Sequence, residues 1–180
     1  MTRMPAIPPV IGIVGWKNSG KTTLAVRLIA EFTRRGLRVA SIKHAHHAFR
    51  IDDDETDSAR HRRAGASQVA IVSSERWALM SETDSDQEPS LADIVAKLAP
   101  ADLVIVEGYK QAAIKKIEVR RRASAHADRP LAPNDGNVIA IAADTPAAHA
   151  DPLPIFSLDD IAALANFVAS ALMLPPSQPG

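Results

Sequence analysis

Residues 15–22 constrain the fold of this chain more than any other stretch. They read GWKNSGKT and match the pattern G-x-x-x-x-G-K-[ST]. An apolar run at 10–14 precedes the pattern and a helix-patterned segment at 23–35 follows it, which is the strand, turn and helix context that the pattern requires. Glycines let the backbone close around an anion, and the positive end of a helix dipole favours phosphate there. The stretch therefore predicts a binding site for a nucleoside triphosphate.

The residue types within this loop indicate separate roles. Backbone N–H groups would surround the phosphates, Lys21 would reach the β- and γ-phosphates, and the Thr22 hydroxyl would ligate Mg²⁺. We therefore also count Lys21 as a candidate catalytic residue. The structural alternative is an ordinary glycine turn between a strand and a helix. The predicted nucleotide-binding residues of the loop are Gly15, Lys17, Asn18, Ser19, Gly20, Lys21, Thr22 and Thr23.

Length and composition limit the remaining possibilities. A chain of 180 residues predicts one domain, with a flexible amino terminus at 1–9, a single phosphate-loop nucleotide-binding domain at 10–174 and a flexible tail at 175–180. The 21 basic and 21 acidic residues cancel, so net charge gives no case for nucleic acid or membrane binding. No stretch approaches the roughly 18 apolar residues of a spanning helix, and cysteine is absent. We expect a soluble, cytoplasmic protein.

The alternation of apolar strands and helical segments predicts an α/β fold. A helix at 22–35 ends at Gly36, and a strand at 37–43 follows, so this short strand, helix and strand unit implies a parallel crossover. Ser157 is predicted to cap a final helix and Thr56 to cap the helix at 57–64, and Ser90 with Asp93 resembles a capping pair. The other predicted elements are strands at 67–72, 76–80, 102–107, 116–120 and 137–142, and helices at 57–64 and 90–98.

The histidine-rich and acidic segment at 43–58 follows the second strand, at the sheet edge where open α/β sheets bind ligands. His44, His46 and His47 allow a transition-metal site, although an extended chain would place His47 on the opposite side from the other two. A solvated loop and a loop that faces nucleotide or substrate are the alternatives. Five carboxylates follow within six residues, and Asp52 is the candidate for holding water on Mg²⁺.

Glu107 ends the apolar run 103–106, which is typical of a strand buried on both faces of a parallel sheet. Its carboxylate would lie at the ligand-binding edge beside the phosphate loop. We predict that Glu107 acts as the Mg²⁺-associated or water-orienting carboxylate, the role an acid has in phosphate-loop enzymes. Asp102 lies at the other end of this strand, where we predict only a turn residue.

Two further segments have candidate roles. Asp144 follows the apolar strand 137–142, and a carboxylate there can accept from the N1–H and the exocyclic amine of guanine; a turn or helix-cap aspartate is the alternative. The basic stretch 115–122 would meet anionic groups of a ligand or partner, or else would be solvated charge on an edge strand.

Several of these motifs together resemble a known family. The motifs are GWKNSGKT at 15–22, IKHAHH at 42–47, DS at 57–58 with Arg60 and AGA at 64–66, and VEGYK at 106–110. In this combination the chain resembles the MobB family, the molybdopterin-guanine dinucleotide biosynthesis adapter proteins. The resemblance implies a three-layer phosphate-loop NTPase fold with a mostly parallel central sheet. It also implies a dimer that binds GTP and Mg²⁺, hydrolyses GTP weakly and assists a MobA-type guanylyltransferase that attaches GMP to molybdopterin.

The resemblance also assigns roles to individual positions. Gly15, Gly20, Lys21 and Thr22 would bind phosphate and Mg²⁺, and Glu107 would take the carboxylate role. Lys43, His44 and His47 with Asp52 would form the segment that faces nucleotide or pterin. The chain departs from the family at 53–56, where a proline-glycine turn is usual, and it has no NKxD motif for guanine.

Two other functions share the phosphate loop. An ATP-dependent ligase of the dethiobiotin synthetase type also has an acid-glycine strand end, but it needs more extended polar loops than this chain has. A kinase needs an arginine-rich lid, which 120–122 would supply. No residue in the sequence plainly acts as an arginine finger or a water-positioning glutamine, so we expect slow hydrolysis.

Overall fold

The computed structural model describes residues 7–45, 56–83, 88–124, 129–145 and 151–176. The chain divides into two compact units, one formed by Met1–His44 with Val95–Gly180 and the other by Ala45–Ile94. In chain order the elements are β1 (Val10–Gly15), α1 (Lys21–Arg34), β2 (Val39–Lys43), α2 (Asp57–Arg63), β3 (Gln68–Val72), β4 (Trp77–Ser81), α3 (Leu91–Lys97), β5 (Leu103–Glu107), β6 (Lys116–Arg120), β7 (Val138–Ala143), β8 (Ile155–Ser157) and α4 (Ile161–Leu172), with a 3₁₀ turn at Ala132–Asn134.

The larger unit contains a six-stranded sheet in the order β2-β5-β1-β6-β7-β8. All five neighbouring pairs are parallel. The predicted α/β phosphate-loop fold class, with its parallel central sheet, is therefore confirmed. β1 lies between β5 and β6, so the loop that follows β1 emerges at the middle of the carboxyl edge.

Helices α1 and α4 cover one face of this sheet. Their fully buried side chains include Leu24, Leu28 and Phe32 of α1 and Leu164 and Val168 of α4. They pack in one cluster with alternate residues of the strands, because successive strand residues point to opposite faces. Each such side chain contributes about 1.5–3 kcal/mol when it leaves water. This core holds α1, and hence its amino terminus, against β1.

The opposite face of β6 is charged and buried, which the sequence did not predict. Lys116 and Glu118 are each 1% exposed, and β6 lies between β1 and β7. Glu118 accepts hydrogen bonds from the backbone N–H groups of Leu131 and Ala132, and Lys116 pairs with Asp135. The interpretation of 115–122 as solvated edge-strand charge is therefore wrong for β6, because its charges are neutralised inside the fold.

The smaller unit contains α2 and the hairpin β3–β4. The Thr56 hydroxyl accepts from the Ala59 N–H, so the predicted cap of α2 is confirmed. Strands β3 and β4 also form where predicted, but they pair only with each other, in a separate antiparallel sheet. Large apolar side chains of this hairpin are exposed: Ile71, Val72, Trp77 and Leu79.

Two helix starts test the capping predictions. At the start of α3, the Ser90 hydroxyl accepts from the Asp93 N–H and the Asp93 carboxylate accepts from the Ser90 N–H, as expected of a capping box. The cap predicted for the final helix is wrong, because Asp160, not Ser157, accepts from the Ala163 N–H. Ser157 instead ends β8, a short strand that the sequence pattern did not reveal. Within the described segments, no helix has the length and apolar character needed to cross a bilayer.

Candidate functional site

The loop between β1 and α1 has the backbone that its glycines predict. Gly15 and Gly20 have φ angles of 152° and 96°, and Asn18 has a φ of 62°. A Cβ on Gly15 would lie 2.6 Å from both the Ser19 Oγ and the Val119 carbonyl oxygen. Only glycine avoids these clashes, so the turn after β1 requires a glycine at this position, whether or not a ligand binds there. Of the other predicted loop residues, Lys17, Asn18, Thr22 and Thr23 are exposed, whereas Ser19 is buried.

The Lys21 side chain folds back over the loop. Its Nζ donates to the Trp16 carbonyl oxygen at 2.7 Å. Burial lowers the pKa of Lys21 below 10.5; the nearby Glu107 carboxylate opposes this shift, and the Lys110 and Lys43 ammonium groups add to it. An ammonium that is partly desolvated and crowded by other cations gains most from an anionic ligand.

Thr22, Glu107 and Lys43 come together because of the strand register. Lys43 of β2 and Ile13 of β1 both pair with Glu107 of β5. The Thr22 hydroxyl donates to Glu107 Oε1 at 2.7 Å, and Lys43 Nζ lies 3.7 Å from the same oxygen. A hydroxyl and a carboxylate oxygen are ligands that Mg²⁺ accepts, and this ion usually takes only one or two protein groups besides phosphate and water. The donor set therefore fits Mg²⁺.

His44 borders this group of residues. Its backbone N–H donates to the Glu107 carbonyl oxygen at 2.9 Å, and its ring lies 4.4 Å from the Tyr109 ring, centroid to centroid. Gly108 has a φ of 98°, and a Cβ there would lie 2.8 Å from the His44 Cβ. The glycine after Glu107 thus permits close contact between the ends of β2 and β5.

Part of the predicted histidine-rich site cannot be placed. His46, His47 and Asp52 lie outside the described residues, so their proposed roles stay predictions. Among the residues that the structure describes, no group of three or more histidine, aspartate or glutamate side chains is arranged to hold a metal ion.

Asp144 lies at the same edge of the sheet, just after β7. Its carboxylate accepts from the Arg122 backbone N–H at 3.2 and 3.3 Å and from the Thr145 hydroxyl at 3.2 Å. The residue is exposed, so its carboxylate can also meet a ligand. These contacts hold the loop after β6, and the reading of guanine stays a prediction.

Four residues at the loop were not predicted as site residues. Lys110 Nζ lies 4.2 Å from the centre of the Trp16 ring. The Ser124 hydroxyl donates to the Lys17 carbonyl oxygen at 3.3 Å, and the Arg121 guanidinium lies against Gly20. Trp16 and Lys110 lie within the motifs at 15–22 and 106–110, and Arg121 and Ser124 follow a strand at the ligand-binding edge, which were the sequence signals that pointed to them.

A cleft of about 750 Å³ opens beside the phosphate loop. This volume lies within the range of about 300–1,000 Å³ that small-molecule sites occupy. The cleft combines an aromatic wall, two prolines and several charged or amide side chains. Its lining includes Trp16, Lys110, Gln111, Lys116, Arg129 and Asn137.

Comparison with known proteins assigns the family. Residues 10–144 match the family described as MobB, molybdopterin guanine dinucleotide synthesis protein B. The chain belongs to the MobB family. It is 37% identical over 162 residues to the molybdopterin-guanine dinucleotide biosynthesis adapter protein of Escherichia coli K12, covering 89% of this chain and 91% of that one. The corresponding Haemophilus influenzae adapter protein is 42% identical over 141 residues, covering 77% of this chain and 76% of that one.

Solved structures agree with this assignment to the MobB family. A crystal structure of molybdopterin-guanine biosynthesis protein B superposes with a TM-score of 0.70 at 27% identity, covering 91% of this chain and 99% of the other. The crystal structure of a MobB homologue from Bacillus stearothermophilus gives a TM-score of 0.66 at 30% identity, covering 89% of this chain and 98% of the other. The predicted family resemblance is thus confirmed, and the chain is a MobB-family protein of molybdopterin guanine dinucleotide biosynthesis.

Proposed function

We propose that this chain binds GTP with Mg²⁺ and assists a MobA-type guanylyltransferase that attaches GMP to molybdopterin. The observation that carries the proposal is the arrangement of Lys21, Thr22 and Glu107, in which a phosphate loop and a carboxylate meet across neighbouring parallel strands. Membership of the MobB family supports the pathway. We also propose that the protein acts in the cytoplasm.

The residues of the loop would bind the triphosphate through backbone N–H groups and the Lys21 ammonium. Lys21 would exchange its hydrogen bond to the Trp16 carbonyl for one to phosphate. Thr22 and Glu107 would hold Mg²⁺, which when bound supplies charge neutralisation at the β- and γ-phosphate oxygens. The Glu107 carboxylate would also orient the attacking water. Without a partner we expect slow hydrolysis, which suits an accessory protein better than a metabolic enzyme.

The alternative functions have the same loop. An ATP-dependent small-molecule ligase or a kinase would place the same demands on Lys21 and Thr22, so the loop by itself does not separate them. The match to the MobB family favours the adapter. Arg120 cannot form part of a kinase lid in this fold, because it is paired with Glu118 and Asp151.

Calorimetry with GTP and ATP, each with Mg²⁺, tests the proposed function. GTP should bind, ATP should bind more weakly, and Lys21→Ala should abolish detectable binding because the lysine that pairs with the β- and γ-phosphates is gone. Lys97→Ala on α3, an exposed lysine, is the matched control and should bind normally. GTP affinity unchanged in Lys21→Ala would disprove the triphosphate site.

The guanine-reading role of Asp144 needs its own measurement. Competition between GTP and ATP should show a guanine preference that Asp144→Ala reduces. Asp57→Ala, which changes an exposed aspartate on α2, should leave the preference intact. If Asp144→Ala prefers GTP over ATP as strongly as the wild type does, other residues recognise the base.

The cleft beside Trp16 supports contact with molybdopterin. Its aromatic wall and its cations suit a planar ring that carries phosphate, and it adjoins the loop that would hold GTP. Calorimetry with a molybdopterin-loaded guanylyltransferase should show binding that Arg129→Glu weakens. The same titration with the empty transferase separates pterin contact from protein contact.

We also propose that the chain forms a homodimer. The exposed apolar residues of the β3–β4 hairpin support this, since Val72 and Trp77 are 75% and 69% exposed and water contact with such side chains is unfavourable. Light scattering should give twice the chain mass, and Trp77→Ser should shift the protein toward the monomer. A Trp77→Ser variant that stays dimeric would place the interface elsewhere.

A further inference from the structure

Arg121 lies directly against the phosphate loop. A Cβ built on Gly20 would be 2.8 Å from Arg121 Nε, 3.0 Å from Cζ and 3.1 Å from Nη2. The whole guanidinium therefore rests on the backbone of the residue that begins α1, where Gly20 is the N-cap. A side chain at this position would displace the guanidinium, and the φ of 96° at Gly20 also favours glycine.

The short segment after β6 holds Arg121 in this place. The Ser124 N–H donates to the Arg121 carbonyl oxygen at 2.9 Å, and the Ser124 hydroxyl donates to the Lys17 carbonyl oxygen at 3.3 Å. Ser124 is buried, so this link between the segment and the loop is shielded from water. Arg121 is thus attached to the loop through its backbone as well as its side chain.

The donors of Arg121 are not used up within the fold. Its Nε is buried, and among the described residues it has no hydrogen-bond partner. The neighbouring Arg120 also has a buried Nε without a partner, but its Nη2 donates to the carboxylates of Glu118 and Asp151, whereas among the described residues no carboxylate pairs with Arg121. A guanidinium that is partly desolvated and has no carboxylate partner favours an anionic ligand at its outer nitrogens. Phosphate suits it best, because the planar guanidinium can donate two parallel hydrogen bonds to phosphate oxygens.

We propose that Arg121 is a phosphate-binding residue that completes the triphosphate site from the β6 side of the loop. This inference rests on the proposed nucleotide binding and adds a second cationic side chain to Lys21. Arg121 belongs to the same chain as the loop and contacts it in the structure, so its charge is present before the nucleotide binds. Pre-positioned charge of this kind raises affinity without a cost in ordering the side chain.

Calorimetry with GTP on the full chain tests the proposal. Arg121→Met should weaken GTP binding about 10- to 100-fold, as expected for the loss of hydrogen bonds between charged groups. Arg121→Lys should restore part of the affinity because it keeps the charge. The matched control is Arg122→Met, at an exposed neighbour, which should bind like the wild type.

The outcomes separate this proposal from the proposed function. If the wild-type chain does not bind GTP, the proposed function fails. If the wild type binds GTP and Arg121→Met binds equally well, nucleotide binding stands and Arg121 only covers Gly20. A variant whose thermal unfolding is altered while GTP affinity is unchanged likewise assigns Arg121 a structural role.

Chemical modification gives the same test without substitution. Phenylglyoxal reacts with arginine, and peptide mass spectrometry locates the modified residues. GTP with Mg²⁺ should protect Arg121 severalfold and leave Arg122 unprotected. Equal modification of Arg121 with and without saturating GTP would overturn the proposal.

Discussion

Two groups of charged residues on the main sheet differ in how their charges are balanced. On β6, Glu118 and Arg120 are 1% and 10% exposed in their side chains, and they pair with each other. Arg120 also pairs with Asp151, while Glu118 accepts two backbone N–H groups. This buried group is neutralised by its own fold.

The group at the carboxyl edge is not balanced in this way. Lys43 and Lys110 lie close enough to Lys21 to lower its pKa, and Glu107 is the carboxylate that opposes them. Arg121 adds a further cation at Gly20. Removing one member of an internally matched group destabilises the fold, whereas the excess of cations among the described residues around the glycine loop attracts an anionic ligand. We therefore expect substitutions in the two groups to affect different measurements.

Glu118→Gln should have the largest effect, and on stability. The change leaves Arg120 paired with Asp151 alone and places a neutral amide where two backbone N–H groups and a guanidinium require acceptors, so the free energy of unfolding should fall by about 1–3 kcal/mol. Urea unfolding measures this loss. The folded Glu118→Gln variant should retain wild-type GTP affinity. A loss of GTP affinity without a loss of stability would contradict the distinction between the two groups of charges.

Glu107→Gln should have the opposite effect, with slower GTP hydrolysis and little change in stability. The amide oxygen can still accept from the Thr22 hydroxyl, so stability should change by less than about 1 kcal/mol. GTP hydrolysis should slow about 10- to 100-fold because the carboxylate that orients water is lost. Single-turnover assays measure this rate, with exposed Glu75→Gln as the control. Equal turnover in both variants would remove Glu107 from the mechanism.

GTP binding should depend on pH through Lys21. Its pKa in the free protein is below 10.5, and a bound triphosphate favours the protonated form and raises that pKa. Binding therefore takes up protons as pH approaches the lowered pKa, and affinity should fall by up to about tenfold per pH unit above it. Titrations from neutral to alkaline pH in two buffers of different ionisation enthalpy count these protons. A flat profile would show that Lys21 does not meet phosphate.

A substitution of Asp102, which precedes β5, should have the smallest effect on stability. Its carboxylate accepts from the Arg38 side chain and backbone N–H, and these hydrogen bonds lower its pKa to about 2. A lowered pKa contributes stability above the unfolded value of 3.8 that is lost as pH falls through about 2. Asp102→Asn should therefore cost up to about 1 kcal/mol near neutral pH and less in acid. Thermal unfolding at several pH values measures it, and a pH-independent difference would exclude the ion pair as the cause.

The sequence predicted the parts of the fold that depend on local pattern. The apolar runs of β1, β5 and β7 and the glycine loop are continuous in sequence, so periodicity and motif suffice to find them. Lys21, Thr22 and Glu107 followed because parallel strands end at one edge. The capping pair of Ser90 and Asp93 could also be predicted from the local sequence.

The errors arose where distant segments decide the outcome. The charges of β6 left edge-strand solvation open as one of two alternatives, because their partners, such as Asp135 and Asp151, are distant in sequence. β8 has only three residues, too few for a pattern, and its pairing with β7 places Ser157 in the sheet. Arg121 was predicted only as one member of the basic stretch 115–122, because its contact with Gly20 joins positions about a hundred residues apart.

The strand register also limits how this chain can change over generations. Lys43 and Ile13 are aligned with Glu107 across three adjacent strands. Deleting one residue within β5 would move the carboxylate by about 3.3 Å and turn it to the other face of the sheet, because side chains alternate along a strand. Insertions in the connecting loops have no such effect on the alignment. Connections away from the phosphate loop can therefore vary in length, whereas a change in the number of residues in β5 would separate Glu107 from Thr22 and Lys43.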